Sequence, residues 1–384
     1  MVALVRRGHS IREVARRFGV SQPTVQRWVD RAKGKRLDRT CFSDISSAPK
    51  KVANRVDPKV ERKVLALRAD LRDESALGEF GAAAIRREME RVGEKNIPSL
   101  RTIGYILERA GALDYRRRIR RPPPPVGWYL PDLSARLVEM DLFDFVEGLI
   151  IEGGTEVEVL NVISLHGGLC QSWPDRAYNT EMALGAIIEH WKNWGLPQYA
   201  QFDNDTRFQG PHQYPNTIGR VIKMCLSLEV IPVFAPPREH GLQNAVESFN
   251  CRWQEKVWHR FHYERLEDLQ QQSACYIEAS HLRSAARRDA APDRREFPNE
   301  WSFDAKKKVR GRIIYIRRTN DKGELSVLGN KFEMEERWAH RLVRCEIDID
   351  GKVIRFNGLR RKAPDQQPIL GEVAYKLPLK YTED

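Results

Sequence analysis

A chain of 384 residues is long for a single domain, so two to four folded units are expected. The 41% hydrophobic fraction is ample for packed cores, and a net charge of +12 favours anionic partners, nucleic acid above all. Six scattered cysteines without a CxxC pair argue against a disulfide framework or zinc knuckle, and no apolar run reaches 18 residues. The expectation is a reduced cytoplasmic protein, nucleoid-associated in a bacterium, with neither a secretory signal nor a membrane span.

Residues 1–40 hold eleven Lys/Arg against three acids, Glu13, Asp30 and Asp38. In "GHSIREVARRFGVSQPTVQRWVDRAKGK", Ile11, Val14, Ala15 and Phe18 make one apolar helix face, and "FGVS" breaks it. Ser21 is a good N-cap, Pro23 is tolerated in the first turn, and Val25, Trp28 and Val29 repeat the apolar face. A small residue before the turn glycine and an apolar one after it suit two closely crossing helices. The expectation for 1–36 is a helix-turn-helix whose second helix offers Gln22, Thr24, Gln26 and Arg27 to a DNA groove. A plain helical hairpin is the alternative.

A second helical unit is predicted over 50–112, with Ser99 capping its last helix and Arg101 on that helix as a DNA-binding candidate. A purely structural three-helix bundle competes with DNA binding here. Residues 113–133 read as a linker, stiffened by four prolines. Arg116, Arg117, Arg118, Arg120 and Arg121 would sit well on phosphates, a solvated spacer being the alternative.

The pattern changes over 134–285. "LVEMDLFDF" reads as a strand, "GLIIEGG" and "TEVEVLNVISL" as a hairpin turned at Gly153-Gly154, and "GGLCQSW" as a third strand. A capped helix over 179–195, the strand "QYAQFD", a helix over 216–228, the short strand "VIPVFAPP" and the long helix "NAVESFNCRWQEKVWHRF" follow. Three antiparallel strands and then alternating helices and strands describe a mixed α/β layer, in the order of the ribonuclease-H-like fold. Residues 300–384 are strand-rich and basic, with Val343, Cys345, Ile347 and Ile349 alternating before a turn at Asp350-Gly351, which suggests a small β-barrel. The fold class is therefore multidomain: all-α helix-turn-helix units, a central α/β core and a C-terminal barrel.

Three acids stand out in the core. Asp141 lies within an apolar strand, where a carboxylate is costly to bury without a cation or hydrogen bonds. Asp203 closes a later strand, and Glu247 sits on the last long helix. In a ribonuclease-H-like topology these would converge and bind two divalent cations, Mg²⁺ or Mn²⁺, suited to phosphodiester displacement.

The segments "MDLFDF", "FDNDTRF" and "PPREHGLQNAVESFN" make the chain resemble a DDE transposase of the retroviral-integrase superfamily, as carried by bacterial insertion sequences. The resemblance implies Asp141, Asp203 and Glu247 as catalytic metal ligands. It also implies double-stranded DNA (element ends and target) as substrate and a homodimer or higher oligomer on DNA, with an ATPase helper left open. Rival acids remain. Asp144 competes with Asp141, Asp205 with Asp203, and Glu239 fits a shorter spacing, with 35 residues after Asp203 instead of 43. Glu239 precedes the helix, so Glu247 is preferred. A DNA-binding regulator or inactive relic, or a nuclease on the same scaffold, are the competing functions.

Overall fold

The computed structural model describes residues 1–43, 56–113, 126–210, 215–236, 239–361, 363–364 and 366–375. The chain divides into two compact units, Met1–Glu61 and Arg62–Asp384. The first contains α1 (Val2–Arg6), α2 (Ile11–Phe18) and α3 (Gln22–Ala32). Ser10 caps α2 by accepting a hydrogen bond from the Glu13 N–H at 3.2 Å. Gly19 ends that helix at φ 62°, a left-handed turn that costs glycine little. Val14, Ala15 and Val25 form the small core between the helices, as their spacing predicts. The short α1 was not foreseen; its five residues are too few for a periodic signal.

The second unit takes in most of α4 (Pro58–Glu74), then α5 (Ala82–Arg91) and α6 (Leu100–Arg109). Ile85, Met89, Ile103, Ile106 and Leu107 are buried, and Ser99 caps α6 through the Thr102 N–H. Arg260 ties the end of α4 to the body of the unit by donating to the Ser75 and Asp73 carbonyls.

The stretch expected as a linker ends in core. Trp128, Tyr129, Leu130 and Leu133 are buried, and α7 (Pro131–Ser134) packs there. Their apolar surface is too large to leave in solvent, and the Tyr129 carbonyl accepts from Arg344 at 2.7 Å. Arg116, Arg117, Arg118, Arg120 and Arg121 lie outside the described residues.

The remaining elements run β1 (Met140–Ile150), β2 (Glu156–Ser164), β3 (Cys170–Asp175), α8 (Thr180–Trp194), β4 (Tyr199–Phe202), α9 (Thr206–Gln209), α10 (Arg220–Ser227) and β5 (Ile231–Phe234). Then come α11 (His240–Trp253), a π-helical turn (Gln254–Trp258), α12 (Leu266–Asp289), β6 (Arg312–Arg318), β7 (Glu324–Val327), β8 (Asn330–Glu333), β9 (Leu342–Asp348), β10 (Val353–Gly358) and β11 (Ile369–Ala374). From β1 to α11 the order is the one the sequence predicts, except for the short α9; the long α12 is likewise not read from it.

Among the described residues one nine-stranded sheet runs β11-β10-β9-β6-β5-β4-β1-β2-β3. Strands β1 to β3 are antiparallel, whereas β4 lies parallel to β1 and β5 parallel to β4. One face packs Phe143, Leu160 and Val162 against α8 and α10, and the other packs Leu142, Val146 and Val159 against α11 and α12. The C-terminal strands are present, but among the described residues they do not close into the expected barrel. They extend the sheet through β6, which lies parallel to β5, and only the β7–β8 hairpin stands apart. The four consecutive buried residues Ile313 to Ile316 fit this position, since a strand within a sheet covered by a layer on each face reads as a continuous apolar run.

Candidate active site

Side chains alternate along a strand, so Asp141 and Asp144, three residues apart on β1, point to opposite faces of the sheet. Asp141 points toward α8. It is fully buried and accepts two hydrogen bonds from Arg294, Nη1 to Oδ1 at 2.9 Å and Nη2 to Oδ2 at 2.6 Å. The Trp191 indole donates to Oδ2 at 3.0 Å, and His190 Nε2 lies 3.5 Å from the same oxygen. Burial alone would raise this carboxyl, but the Arg294 guanidinium overrides it and holds Asp141 well below the usual carboxylate range. Asp141 is therefore a structural anion with its cation already in place. The expectation that it joins the acidic site is corrected.

Asp144 takes that place. In the β1–β4 pairing Met140 lies beside Tyr199, Asp141 beside Ala200 and Leu142 beside Gln201. The same offset carried further sets Asp144, within β1, beside Asp203, the first residue past β4. Asp144 faces α11, where Asn250 Nδ2 donates to its Oδ2 at 2.8 Å. Asn250 Oδ1 accepts from Asn161 at 2.8 Å, and Asn161 in turn accepts from Ser172, so a relay through β2 and β3 fixes the amide. Glu247 lies three residues before Asn250, on the same face of α11. Burial, then the charges of Asp203 and Glu247, push the Asp144 carboxyl up to about 7. Burial also raises Asp203, whose Oδ1 accepts the Asp205 N–H at 3.0 Å. Asp144 thus senses both other acids, although among the described residues no three His, Cys, Asp or Glu are drawn together at metal-holding distance.

The rival acids have other work. Asp205 caps α9 through the Arg207 N–H and binds the Arg207 guanidinium at 2.7 and 2.9 Å. Arg207 also reaches Glu158 at 2.8 Å and covers the Phe145 ring, 3.7 Å from its centroid. Glu239, just before α11, is ion-paired with Arg318. Asn204 donates to the Ala235 carbonyl at 2.6 Å and accepts from Arg317 at 3.0 Å, which pins the end of β4 to β5 and β6. Trp253 is core, as its apolar setting suggests, and donates to Ser273.

In the first unit, Gln22, Gln26 and Arg27 are exposed on α3, and Thr24 is half-buried against Ser21 Oγ at 2.8 Å. Arg101 is exposed on α6, its Nε donating to the Tyr105 hydroxyl at 3.0 Å and its guanidinium lying over that ring. No described helix is long and apolar enough to cross a membrane.

Residues 1–40 match a Homeodomain-like domain. No curated protein matches the sequence significantly. Among solved structures, the HTLV-2 integrase catalytic core domain in complex with magnesium is similar at 11% identity and a TM-score of 0.27, over 37% of this chain and 83% of that one. A simian T-cell lymphotropic virus intasome in complex with the PP2A regulatory subunit B56 gamma gives 12% identity and 0.33, over 72% and 91%. The catalytic core domain of BIV integrase gives 13% and 0.28, over 37% and 80%.

Proposed function

We propose that the chain is a DDE-type transposase that cleaves DNA at element ends and joins the freed strand to target DNA. The observation that carries this reading is that Asp203, beside Asp144 across two parallel strands, and Glu247 on α11 both lie near enough to Asp144 to raise its carboxyl. Their donor set fits hard divalent cations, Mg²⁺ or Mn²⁺: carboxylate oxygens only, two of them on carboxyls raised by burial. Two such ions, when bound, would supply the positive charge that activates an attacking oxygen and stabilises the leaving one.

The chain's own residues do the positioning. Asn250 holds the Asp144 carboxyl in place by donating to its Oδ2. The Asp205 N–H does the same for Asp203. Arg207 bonds Asp205, Glu158 and Glu147 and so offsets part of the negative charge beside Asp203. The exposed polar face of α3 (Gln22, Gln26, Arg27, with Thr24) would read DNA in the major groove. Arg101 and the arginines of 116–121 would hold phosphates. Joining two DNA ends calls for at least a dimer.

The test is a nicking assay on DNA flanking the coding region, with Mg²⁺ or Mn²⁺ present or withheld. Metal-dependent nicking and strand joining by the wild type, abolished in Asp144→Asn, Asp203→Ala and Glu247→Gln, is the expected result. Cleavage that survives in Asp144→Asn would overturn the site. Binding of the DNA without any cleavage would favour a regulator.

A further inference from the structure

A second site lies at the opposite end of α11 from its junction with the π-helical turn. A cavity of about 250 Å³ opens beside the first turn of α11, lined by Gly241, Leu242 and Trp128 and by three arginines, Arg318, Arg341 and Arg361. Three guanidiniums on so small a hollow repel one another unless an anion joins them. Among the described residues only Arg318 has an acidic partner: Glu239, at the cap of α11, pairs with it. Arg341 lies over the Trp338 ring, 5.4 Å from its centroid, which fixes its direction without neutralising it. Among the described residues neither Arg341 nor Arg361 makes an ion pair. Gly241 leaves the helix entrance open, since a Cβ there would meet nothing within 4 Å.

We infer that this arginine-lined cavity binds a backbone phosphate of DNA, with Glu239 holding the phosphate's place on Arg318 until DNA arrives. The inference rests on the proposed function, because it takes the DNA strand to run along α11 past Glu247. Arginine suits the task, as its planar fork matches phosphate oxygens. Gly241 and Glu247 are six residues apart, about 9 Å along a helix at 1.5 Å per residue. At 3.4 Å per nucleotide on one strand, that is roughly two or three nucleotides from the acidic site. The cavity therefore sets the distance between a gripped phosphate and the linkage presented to Asp144, Asp203 and Glu247.

The test measures binding of a short random-sequence DNA duplex to the full chain by fluorescence anisotropy across a salt series, with EDTA present so that no cleavage intervenes. Arg341→Ala and Arg361→Ala together are expected to weaken binding about 10-fold and to reduce the salt slope by about one. Glu239→Gln is expected to tighten binding, because it frees Arg318. Arg337→Ala, which removes an exposed arginine paired with Glu335 outside the cavity, controls for bulk charge. Melting curves check that each variant folds, and Arg341→Gln stands in for Arg341→Ala if that variant does not. Equal losses from Arg337→Ala and the cavity variants, or unchanged binding in Glu239→Gln and the arginine pair, would overturn the site. If metal-dependent nicking never appears while the cavity variants behave as expected, the phosphate site stands and the transposase reading fails. If nicking is present and the variants bind like wild type, the reverse holds.

Discussion

Asn250 Nδ2 lies 2.8 Å from Asp144 Oδ2, so the helix that carries Glu247 also holds the strand carboxylate in place. The amide is itself fixed by Asn161 and, through it, by Ser172. Losing a group that orients a metal-binding carboxylate typically costs 10–100-fold in metal affinity or activity. Asn250→Ala should therefore raise the Mg²⁺ concentration needed for half-maximal nicking by about that factor while leaving the fold intact. A metal titration of cleavage together with a thermal melt reads both quantities. An unchanged titration would mean that Asn250 only fills space.

Asp144 yields a pH signature in the metal-free protein. Its carboxyl is raised to about 7 by burial and by Asp203 and Glu247, against about 3.9 in an unfolded chain. The folded state therefore binds the proton more tightly than the unfolded state does. Stability from this group falls as pH rises from about 4 to about 7, and stays low above that. Asp144→Asn removes the penalty. It should stabilise the metal-free protein at pH 8 by roughly 2–4 kcal/mol, a range that allows for partial solvent screening, and the gain should vanish near pH 4. Urea unfolding at the two pH values measures it; a variant less stable than wild type at pH 8 would contradict the electrostatic assignment.

Asp141 behaves oppositely. Its carboxyl is lowered by Arg294, so its contribution is present above the unfolded value near 3.9 and is lost as pH falls further. Breaking the buried pair by Arg294→Ala leaves an uncompensated charge and should cost about 3–5 kcal/mol. Replacing both members by apolar residues, Asp141→Leu with Arg294→Met, should recover most of that loss. Denaturant unfolding of the single and double variants tests the coupling.

On α3, Gln26→Ala and Arg27→Ala should each weaken binding to the cognate DNA by about 1–3 kcal/mol if they reach base edges, with little change on random DNA. Equal losses on both DNAs would reduce these residues to phosphate contacts. Competition anisotropy with the two duplexes distinguishes the cases.

Much of this was legible in the sequence because it was local. The cap at Ser99, the Val14–Ala15–Val25 core and, apart from the short α9, the element order from β1 to α11 follow from periodicity and turn chemistry, whereas Ser21 precedes α3 but spends its hydroxyl on Thr24 Oγ1. The choice between Asp141 and Asp144 was not local. "MDLFDF" makes Asp141 look the more deeply set, but depth there reflects Arg294, a residue 153 positions away that no pattern announces. A usable signal did exist: side chains alternate along a strand, so Asp141 and Asp144, three residues apart, face opposite sides of the sheet and only one of them can meet the helix that carries Glu247. The Asn161–Asn250–Asp144 relay, in contrast, joins three distant segments and exists only once the sheet and α11 have met. The length of α12 was missed for a related reason: its apolar residues do not keep to one stripe.

The nine-stranded sheet has a consequence for how the chain can be cut. Strand β6 pairs with β5 at Val233–Ile314 and Phe234–Tyr315, so the C-terminal strands are not a bead hung on a tether. A truncation before residue 312 would strip β5 of its neighbour and leave a bare parallel rim, a template for cross-chain stacking. It would also delete Arg317, the group that steadies Asn204 beside Asp203. A minimal fragment bounded at the end of α12 would in addition lose Arg294 and strand Asp141 without its counter-ion. The smallest piece of this protein that keeps its acids in register therefore extends past β6.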